Sequence, residues 1–242
     1  MQFYKVLSGL SARYKFGLTA TPKRNDGLEK SMFALLGEQI HEVTKDEVKN
    51  TTCNVKVKIF ETGYTPNLDS VLSSDGTINY ASLVDDLTHN RLRFDFVSNI
   101  INNYFQFGPM IVLANRVEYL ERLSNEFDGN SVCLSTMGNS KSAKEQRKDS
   151  LKRLNEGQID CIFATYQLAK EGLDVPNLKF IVLATPEKDE VTVTQSTGRV
   201  GRKAQNKKFG VVLDFDDDFG MYKAWLKKRK AIYKKLDYEV EK

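Results

Sequence analysis

The residues Met110-Ile111-Val112-Leu113-Ala114 form an apolar run without polar alternation. A strand of this composition is buried on both faces, as the strands of parallel sheets are. A similar run occurs at Phe180 to Ala184. From about residue 90 onward, amphipathic stretches with helical spacing separate such runs, which is typical of βαβ units. The sequence therefore predicts an α/β fold, with a parallel sheet flanked by helices.

Outward from these runs, the same periodicities predict the other elements of this region. The predicted strands are Met110 to Ala114, Ser131 to Leu134, Asp160 to Ala164, Lys179 to Ala184 and Phe209 to Phe215. The predicted helices are Arg116 to Phe127, Lys141 to Asn155, Val191 to Val200 and Phe219 to Leu236. We expect residues 89–218 to form one domain and residues 219–242 a basic C-terminal helix that docks on its sheet.

Residues 1–45 have a different pattern. Helices are predicted over Phe3 to Leu10 and Leu28 to Leu36, with a strand over Tyr14 to Leu18 between them. One strand is too little to close a core, so this segment is interpreted as a short remnant of another α/β domain.

Residues 46–88 are predicted to be a linker. Asn54 to Phe60 alternates apolar and charged side chains, which indicates a single solvent-facing strand. Thr62 to Asn79 is rich in turn residues and is expected to be a connecting loop.

The composition of the 242 residues, 40% hydrophobic and 28% charged, is that of a soluble globular protein. The longest apolar runs have about five residues, against about 20 for a membrane span, and no secretory signal is visible. We therefore expect an intracellular protein, in the cytoplasm, nucleoid or nucleus, with no membrane partner. Cys53, Cys133 and Cys161 are expected to be buried free thiols, and no metal site is predicted.

The net charge of +4 is concentrated in the last 21 residues, which hold eight Lys or Arg and three acids. This run could attract a phosphate backbone, or it could be a solvated helix face. The acidic residues Asp214, Asp216, Asp217 and Asp218 precede it. We interpret them as a polar turn whose carboxylates lie near a helix N-terminus.

The sharpest chemical signal is Gln195-Ser196-Thr197-Gly198-Arg199-Val200-Gly201-Arg202. On the predicted helix, Gln195, Arg199 and Arg202 are four and three residues apart and share one face. Adjacent guanidinium groups repel each other unless water or an anion such as a triphosphate lies between them. Two solvated arginines at a helix end are an equally ordinary explanation.

Two weaker signals lie where strands end. Thr165 follows a predicted strand, and Gly172 and Asp174 come soon after it; Asp174 could accept a hydrogen bond from a ribose hydroxyl. Ligands gather at the carboxyl ends of parallel strands, so the Thr165 hydroxyl could meet a phosphate. The third signal is the loop with Thr19 and Thr21. Each of these is, alone, also an ordinary turn.

Together these motifs resemble those of the superfamily 2 helicases and translocases. Thr19-Ala20-Thr21 is similar to motif III, Thr165 with Gly172 and Asp174 to motif V, and Gln195 to Arg202 to motif VI. Ala114-Asn115-Arg116 resembles motif IV. Gly17 to Gly27 is most similar to the DNA-acting branch that contains the XPB-type helicases, and glutamine at position 195 disfavours RNA as the partner.

The resemblance implies a RecA-like second helicase lobe. Arg199 and Arg202 would act as arginine fingers on ATP, with Gln195 beside them, and Gly172 and Asp174 would lie near the nucleotide sugar. The resemblance further places nucleic-acid contacts and a coupling role on other residues. The nucleic-acid contacts would be Thr165, Asn115 and Arg116, and the coupling residues Thr19 and Thr21.

A Gly-Lys-Ser/Thr phosphate loop and the carboxylate pair that holds Mg²⁺ are absent from the sequence. We therefore expect the C-terminal portion of a DNA helicase or translocase, which would use ATP and Mg²⁺ only together with a missing N-terminal RecA-like lobe. The isolated chain is expected to be inactive. The alternative is a non-catalytic nucleic-acid-binding or docking module that retains the fold.

Overall fold

The computed structural model describes residues 2–19, 29–44, 47, 51–138, 140–170, 172–205 and 207–241. The chain divides into two compact units, residues 1–50 and 51–242. The first unit contains α1 (Gln2–Ser8) and α2 (Glu29–Leu36). The strand predicted over Tyr14 to Leu18 is not formed in the described residues 9–19. A lone strand has no neighbour to pair its backbone groups, and Phe16 and Leu18 are exposed.

Within the described residues, the second unit consists of one sheet and its flanking helices. Its strands are β1 (Asn54–Glu61), β2 (Met110–Ala114), β3 (Ser131–Cys133), β4 (Cys161–Thr165), β5 (Phe180–Leu183), β6 (Phe209–Asp216) and β7 (Glu239–Glu241). Its α-helices are α3 (Leu68–Val71), α4 (Tyr80–His89), α5 (Arg91–Tyr104), α6 (Val117–Asn125), α7 (Lys141–Asn155), α8 (Tyr166–Lys170), α9 (Glu190–Gly198) and α10 (Gly220–Lys235). Short 3₁₀ turns span Phe105–Phe107, Leu134–Thr136 and Arg199–Gly201.

All seven strands are parallel, in the order β3-β4-β2-β5-β6-β1-β7. The run that decided the prediction, β2, lies between β4 and β5 and is fully buried. Its Ile111 and Leu113 pack in one core cluster, while Met110 and Val112 pack in another on the opposite face. The expected α/β architecture, a RecA-like parallel sheet flanked by helices, is confirmed.

Residues 51–88, most of the predicted linker, belong to the sheet domain. β1 pairs with β6 over its whole length, and its Val55 and Val57 are buried while Lys56 and Lys58 are partly exposed. The predicted strand is therefore present. It is not a single solvent-facing strand, however, because it has one buried face and belongs to a seven-stranded sheet.

The segment after β1 is packed as well. A third core cluster joins Tyr64 and residues of α4 to Tyr222 and Trp225 of α10, and the Tyr222 hydroxyl donates to the Leu83 carbonyl at 2.8 Å. The expected loop over Thr62 to Asn79 thus includes α3 and part of this cluster. This third cluster packs α4 close to the carboxyl ends of the strands.

None of the helices in the described ranges has both the length and the apolar composition needed to cross a bilayer. Cys53, Cys133 and Cys161, all in the described part of the chain, form no disulfide. Only Cys161 is buried, whereas Cys53 and Cys133 are half-buried, which differs from the expected burial of all three. Burial raises the pKa of the Cys161 thiol well above its usual value.

Candidate nucleotide and nucleic-acid surfaces

The predicted motif around Gln195 begins on α9 and ends on a tight turn. Asp189 caps the helix by accepting from the Thr192 backbone N–H at 2.9 Å. The helix ends at Gly198, a 3₁₀ turn follows, and Arg202 has extended backbone. The three predicted side chains therefore do not share one helical face, because the helix ends before Arg202.

The turn over Arg199–Gly201 lies at the amino-terminal ends of β1 and β6. The Cys53 N–H donates to the Gly201 carbonyl at 2.8 Å. A Cβ atom at Gly210 would lie 2.1 Å from the Val200 carbonyl oxygen, so only glycine permits this approach of the turn to β6. The sequence motif did not include Gly210, although a glycine inside a strand often marks a close backbone approach.

Arg199 ties this turn to the segment after α8. Its Nη1 donates to the Leu173 carbonyl at 2.8 Å and its Nη2 to the Ala169 carbonyl at 2.6 Å. The side chain is about half-buried, and its buried Nε has no hydrogen-bond partner among the described residues. Burial, with a smaller effect of Arg202, lowers the pKa of Arg199. The charge of this group is therefore incompletely compensated.

Arg202 pairs with Asp174 at the same place. Both side chains are substantially exposed, so this pair contributes little to folding, and another anion could replace Asp174.

Gly172 has a φ of +116°, in the left-handed region that favours glycine, and no atom lies within 4 Å of the place where a Cβ atom would be. The Gln195 side chain is half-buried on α9.

Gly172 and Asp174 line an open groove of about 930 Å³ beside α7. Its lining includes the apolar side chains of Leu151 and Leu168 and charged side chains such as Lys144 and Lys148.

One further cation, not predicted from the sequence, belongs to this edge of the sheet. The Lys207 ammonium donates to the Pro176 carbonyl at 3.4 Å. Burial lowers the pKa of Lys207 to about 8, and the neighbouring Lys179 and Arg202 act in the same direction. Electrostatics of this kind favour an anion, so a triphosphate would fit the edge that holds Arg199, Arg202 and Lys207.

The other predicted contacts lie at the opposite, carboxyl edge of the sheet. Asn115 and Arg116 follow β2, and Thr165 ends β4, the neighbouring strand. The Asn115 N–H donates to the Thr185 hydroxyl at 2.9 Å, and the Thr165 hydroxyl accepts from the Leu168 N–H at 3.3 Å. In the sequence, Thr165, Gly172 and Asp174 belong to one motif, with Thr165 assigned to the nucleic acid and the other two to the nucleotide. Between them, α8 carries the chain from the end of β4 back towards the start of β5.

Two residues of the acidic cluster, Asp214 within β6 and Asp217 just after it, have a structural role that sequence reasoning missed. Asp217 binds Arg93 through both oxygens, at 2.7 and 3.0 Å, and Asp214 binds Arg229 in the same way, at 2.8 and 2.9 Å. All four side chains are fully buried. The interpretation of these two acids as helix N-terminal carboxylates was therefore wrong, and Arg229 of the basic run is no part of a solvated face. An aspartate within the apolar β6 was the available signal, since a buried charge needs a partner.

The described residues contain no group of three His, Cys, Asp or Glu side chains able to hold a metal ion. Thr19 lies in the first unit, and Thr21 lies outside the described residues, so their coupling role stays a prediction.

A comparison with protein families shows what this sheet domain resembles. Residues 93–204 match the model of the helicase conserved C-terminal domain. These residues, somewhat less than half of the chain, are therefore similar to a helicase C-terminal domain. The match spans motifs IV, V and VI but leaves out β1, α4 and α10, which complete the lobe here.

Relatives of this lobe are found in viruses. A protein of Sulfolobus islandicus filamentous virus named as helicase 22 is 29% identical over 83% of this chain and 37% of its own length. A protein of Acanthamoeba polyphaga mimivirus named as an ATP-dependent RNA helicase is 25% identical over 99% of this chain and 45% of its own. The chain thus spans less than half the length of these curated relatives.

Two solved structures share the fold of the lobe. T4 UvsW matches with a TM-score of 0.58 at 17% identity, over 79% of this chain and 41% of that one. S. cerevisiae Dbp5, bound to RNA and ADP BeF₃, matches with a TM-score of 0.60 at 16% identity, over 99% of this chain and 54% of that one.

Proposed function

We propose that this lobe forms one wall of an ATP-dependent nucleic-acid motor. The observation that carries the proposal is the half-buried Arg199, which backbone carbonyls hold. The nearby Asp174 offsets the loss of hydration of its charge only in part, and the pKa of Arg199 stays lowered. A nucleotide phosphate bound at this edge would supply the missing negative charge.

Arg202 is the group best placed to act on a transferring phosphoryl group. Its exposed pair with Asp174 can open, which would leave the guanidinium free to turn to a γ-phosphate while Arg199 holds the turn in place. An arginine finger is worth about 10³ to 10⁵ in rate in phosphoryl-transfer enzymes. In this proposal Gln195 lies beside the two arginines, and Gly172 and the released Asp174 approach the nucleotide sugar. ATP and Mg²⁺ would be bound together with an upstream lobe.

The carboxyl edge of the sheet would hold the nucleic acid. Thr165, Asn115 and Arg116 lie on neighbouring strand ends and would contact the sugar-phosphate backbone, which gives salt-sensitive binding without sequence preference. The similarity to the XPB-type branch favours DNA, and this part of the assignment stays a prediction. The relatives named as RNA helicases favour RNA at least as well, so both are tested.

The test measures ATP hydrolysis by this chain joined to an upstream lobe that carries a Gly-Lys-Thr loop and an acidic pair. We expect hydrolysis stimulated by single-stranded DNA or RNA, and a loss of about 10³-fold or more in Arg202→Ala with nucleotide binding largely retained. Arg91→Ala, which removes an exposed arginine of α5, is the matched control. Unchanged hydrolysis in Arg202→Ala would remove the finger assignment, and strong hydrolysis by the chain alone would contradict the two-lobe requirement.

The alternative function is a non-catalytic nucleic-acid-binding or docking module. It predicts the same binding of single strands, but no hydrolysis after joining the upstream lobe. Strand-separation measurements on the joined protein then distinguish unwinding from translocation along duplex DNA, which use the same residues.

A further inference from the structure

On the carboxyl edge, Arg116 is already engaged by α4, a helix outside the matched family region. Its Nε donates to Asp85 Oδ1 at 2.6 Å, and its Nη2 donates to the Ala81 carbonyl at 3.3 Å. These two nitrogens form one edge of the guanidinium fork, and such an edge can bind a phosphate through two parallel hydrogen bonds. A phosphate can use this edge of Arg116 only by displacing Asp85.

The pair is poorly suited to a structural role. The side chains of Arg116 and Asp85 are 37% and 51% exposed, whereas the Arg93 and Asp217 side chains are fully buried. Exposed pairs contribute little to folding. The carbonyl of Asp85 accepts from the Thr88 hydroxyl at 3.0 Å and lies 2.7 Å from His89 Nδ1, so the end of α4 that presents the carboxylate is well fixed.

We propose that Asp85 competes with nucleic-acid phosphate for Arg116 and thereby sets the strength and salt dependence of binding at this surface. The inference rests on the proposed function, in which Arg116 contacts the nucleic-acid backbone. In the free lobe Asp85 neutralises Arg116. A bound phosphate displaces the carboxylate and then lies close to its negative charge, so the contribution of Arg116 to affinity is kept small.

The test compares Asp85→Asn with Asp95→Asn. Asp95 forms an exposed pair with Arg91 on α5, so its substitution removes the same charge from the neighbouring helix without releasing Arg116. Binding of labelled oligouridylate and oligothymidylate is followed by fluorescence anisotropy between about 50 and 200 mM salt. For Asp85→Asn we expect about three- to ten-fold tighter binding and a slope of log K against log salt steeper by about 0.7, the value for one more phosphate contact on a single strand.

The control should bind within about two-fold of the wild type with an unchanged slope, as expected for an exposed charge away from the contact. The proposal is wrong if Asp85→Asn behaves as Asp95→Asn does, or binds more weakly than the wild type. Asp85→Ser, which also lacks the charge, should reproduce the tighter binding, and its failure to do so would equally count against the proposal.

Arg116→Ala separates this inference from the proposed function. If Arg116→Ala binds as tightly as the wild type, Arg116 is not part of the nucleic-acid surface and the proposed function fails at this residue. If Arg116→Ala binds more weakly but Asp85→Asn is unchanged, only the competition by Asp85 is excluded. The double variant should bind no more tightly than Arg116→Ala; a remaining gain would show a general charge effect and overturn the proposal.

Discussion

Buried positive charge is compensated differently at the two edges of the sheet. At the carboxyl edge, Arg93 and Arg229 each have a dedicated carboxylate. Burial alone would lower the pKa of both guanidinium groups, but Asp217 and Asp214 with their neighbours outweigh it, and both pKa values are raised. The positive charges of Arg93 and Arg229 are therefore neutralised by carboxylates inside the fold.

At the amino edge, the half-buried cations are held by backbone carbonyls. Arg199 donates to Leu173 and Ala169, and Lys207 donates to Pro176. Burial lowers the pKa of both groups. The two edges therefore differ in how far their buried charge is compensated. The buried arginines of the carboxyl edge are paired with carboxylates, while the amino edge keeps half-buried positive charge, which favours the binding of an anion there.

The largest effect is expected from breaking a pair at the carboxyl edge. Asp217→Asn leaves Arg93 charged and unpaired in the core, which should lower the free energy of unfolding by about 3–5 kcal/mol. Chemical denaturation measures this loss. Asp95→Asn, which breaks an exposed pair on α5, should change it by less than about 1 kcal/mol. Equal effects of the two substitutions would contradict the assigned difference between the buried pair and exposed pairs.

A smaller effect, located at the amino edge, is expected for Gly210→Ala. The added methyl group would overlap the Val200 carbonyl, so the turn that carries Arg199 and Arg202 must move, at a cost of about 1–3 kcal/mol. In the joined protein, ATP hydrolysis should fall by more than the loss of stability explains, because the arginines are displaced. Gly76→Ala, at an exposed turn with positive φ and open space, is the control for backbone strain alone. Full hydrolysis by Gly210→Ala would show that the turn does not position the arginines.

Much of the sheet could be predicted because its strands carry the signal locally. An apolar run such as Met110 to Ala114 is buried on both faces whatever its neighbours are, and its bounds agree with β2. The helix over Lys141 to Asn155 was also predicted with its observed bounds. The motif order then pointed to the helicase lobe that the family match supports.

The errors concern features that depend on distant partners. β1 pairs with β6, about 150 residues later. The local alternation of β1 indicates a strand, but it cannot show which distant strand pairs with it. The same holds for Asp217, whose partner Arg93 is 124 residues away. The candidate site residues were named from their motifs. Which edge of the sheet each of them lies at depends on α8, which returns the chain towards the start of β5, and the motifs do not specify that return.

The smallest effect tests the uncompensated charge at the amino edge through its pH dependence. Lys207 has a pKa of about 8 in the folded chain and about 10.4 when unfolded. The unfolded state therefore binds more protons between these values, and the free energy of unfolding should rise from pH 8 to pH 10. Lys207→Met removes this contribution, so the variant should be more stable than the wild type at pH 7, by about 1 kcal/mol after allowance for solvent screening.

The control for this last prediction is Lys208→Met, since Lys208 is the exposed neighbour in sequence. It should leave both the stability at pH 7 and its rise with pH unchanged. Inorganic tripolyphosphate sharpens the comparison further, because an anion bound at the amino edge would neutralise Lys207 and make its charge favourable. The advantage of Lys207→Met should then shrink or reverse as tripolyphosphate is added at pH 7. If tripolyphosphate does not change the extra stability of Lys207→Met, then Lys207 destabilises the fold through its burial alone. The positive charge at this edge would then not serve to bind a phosphate.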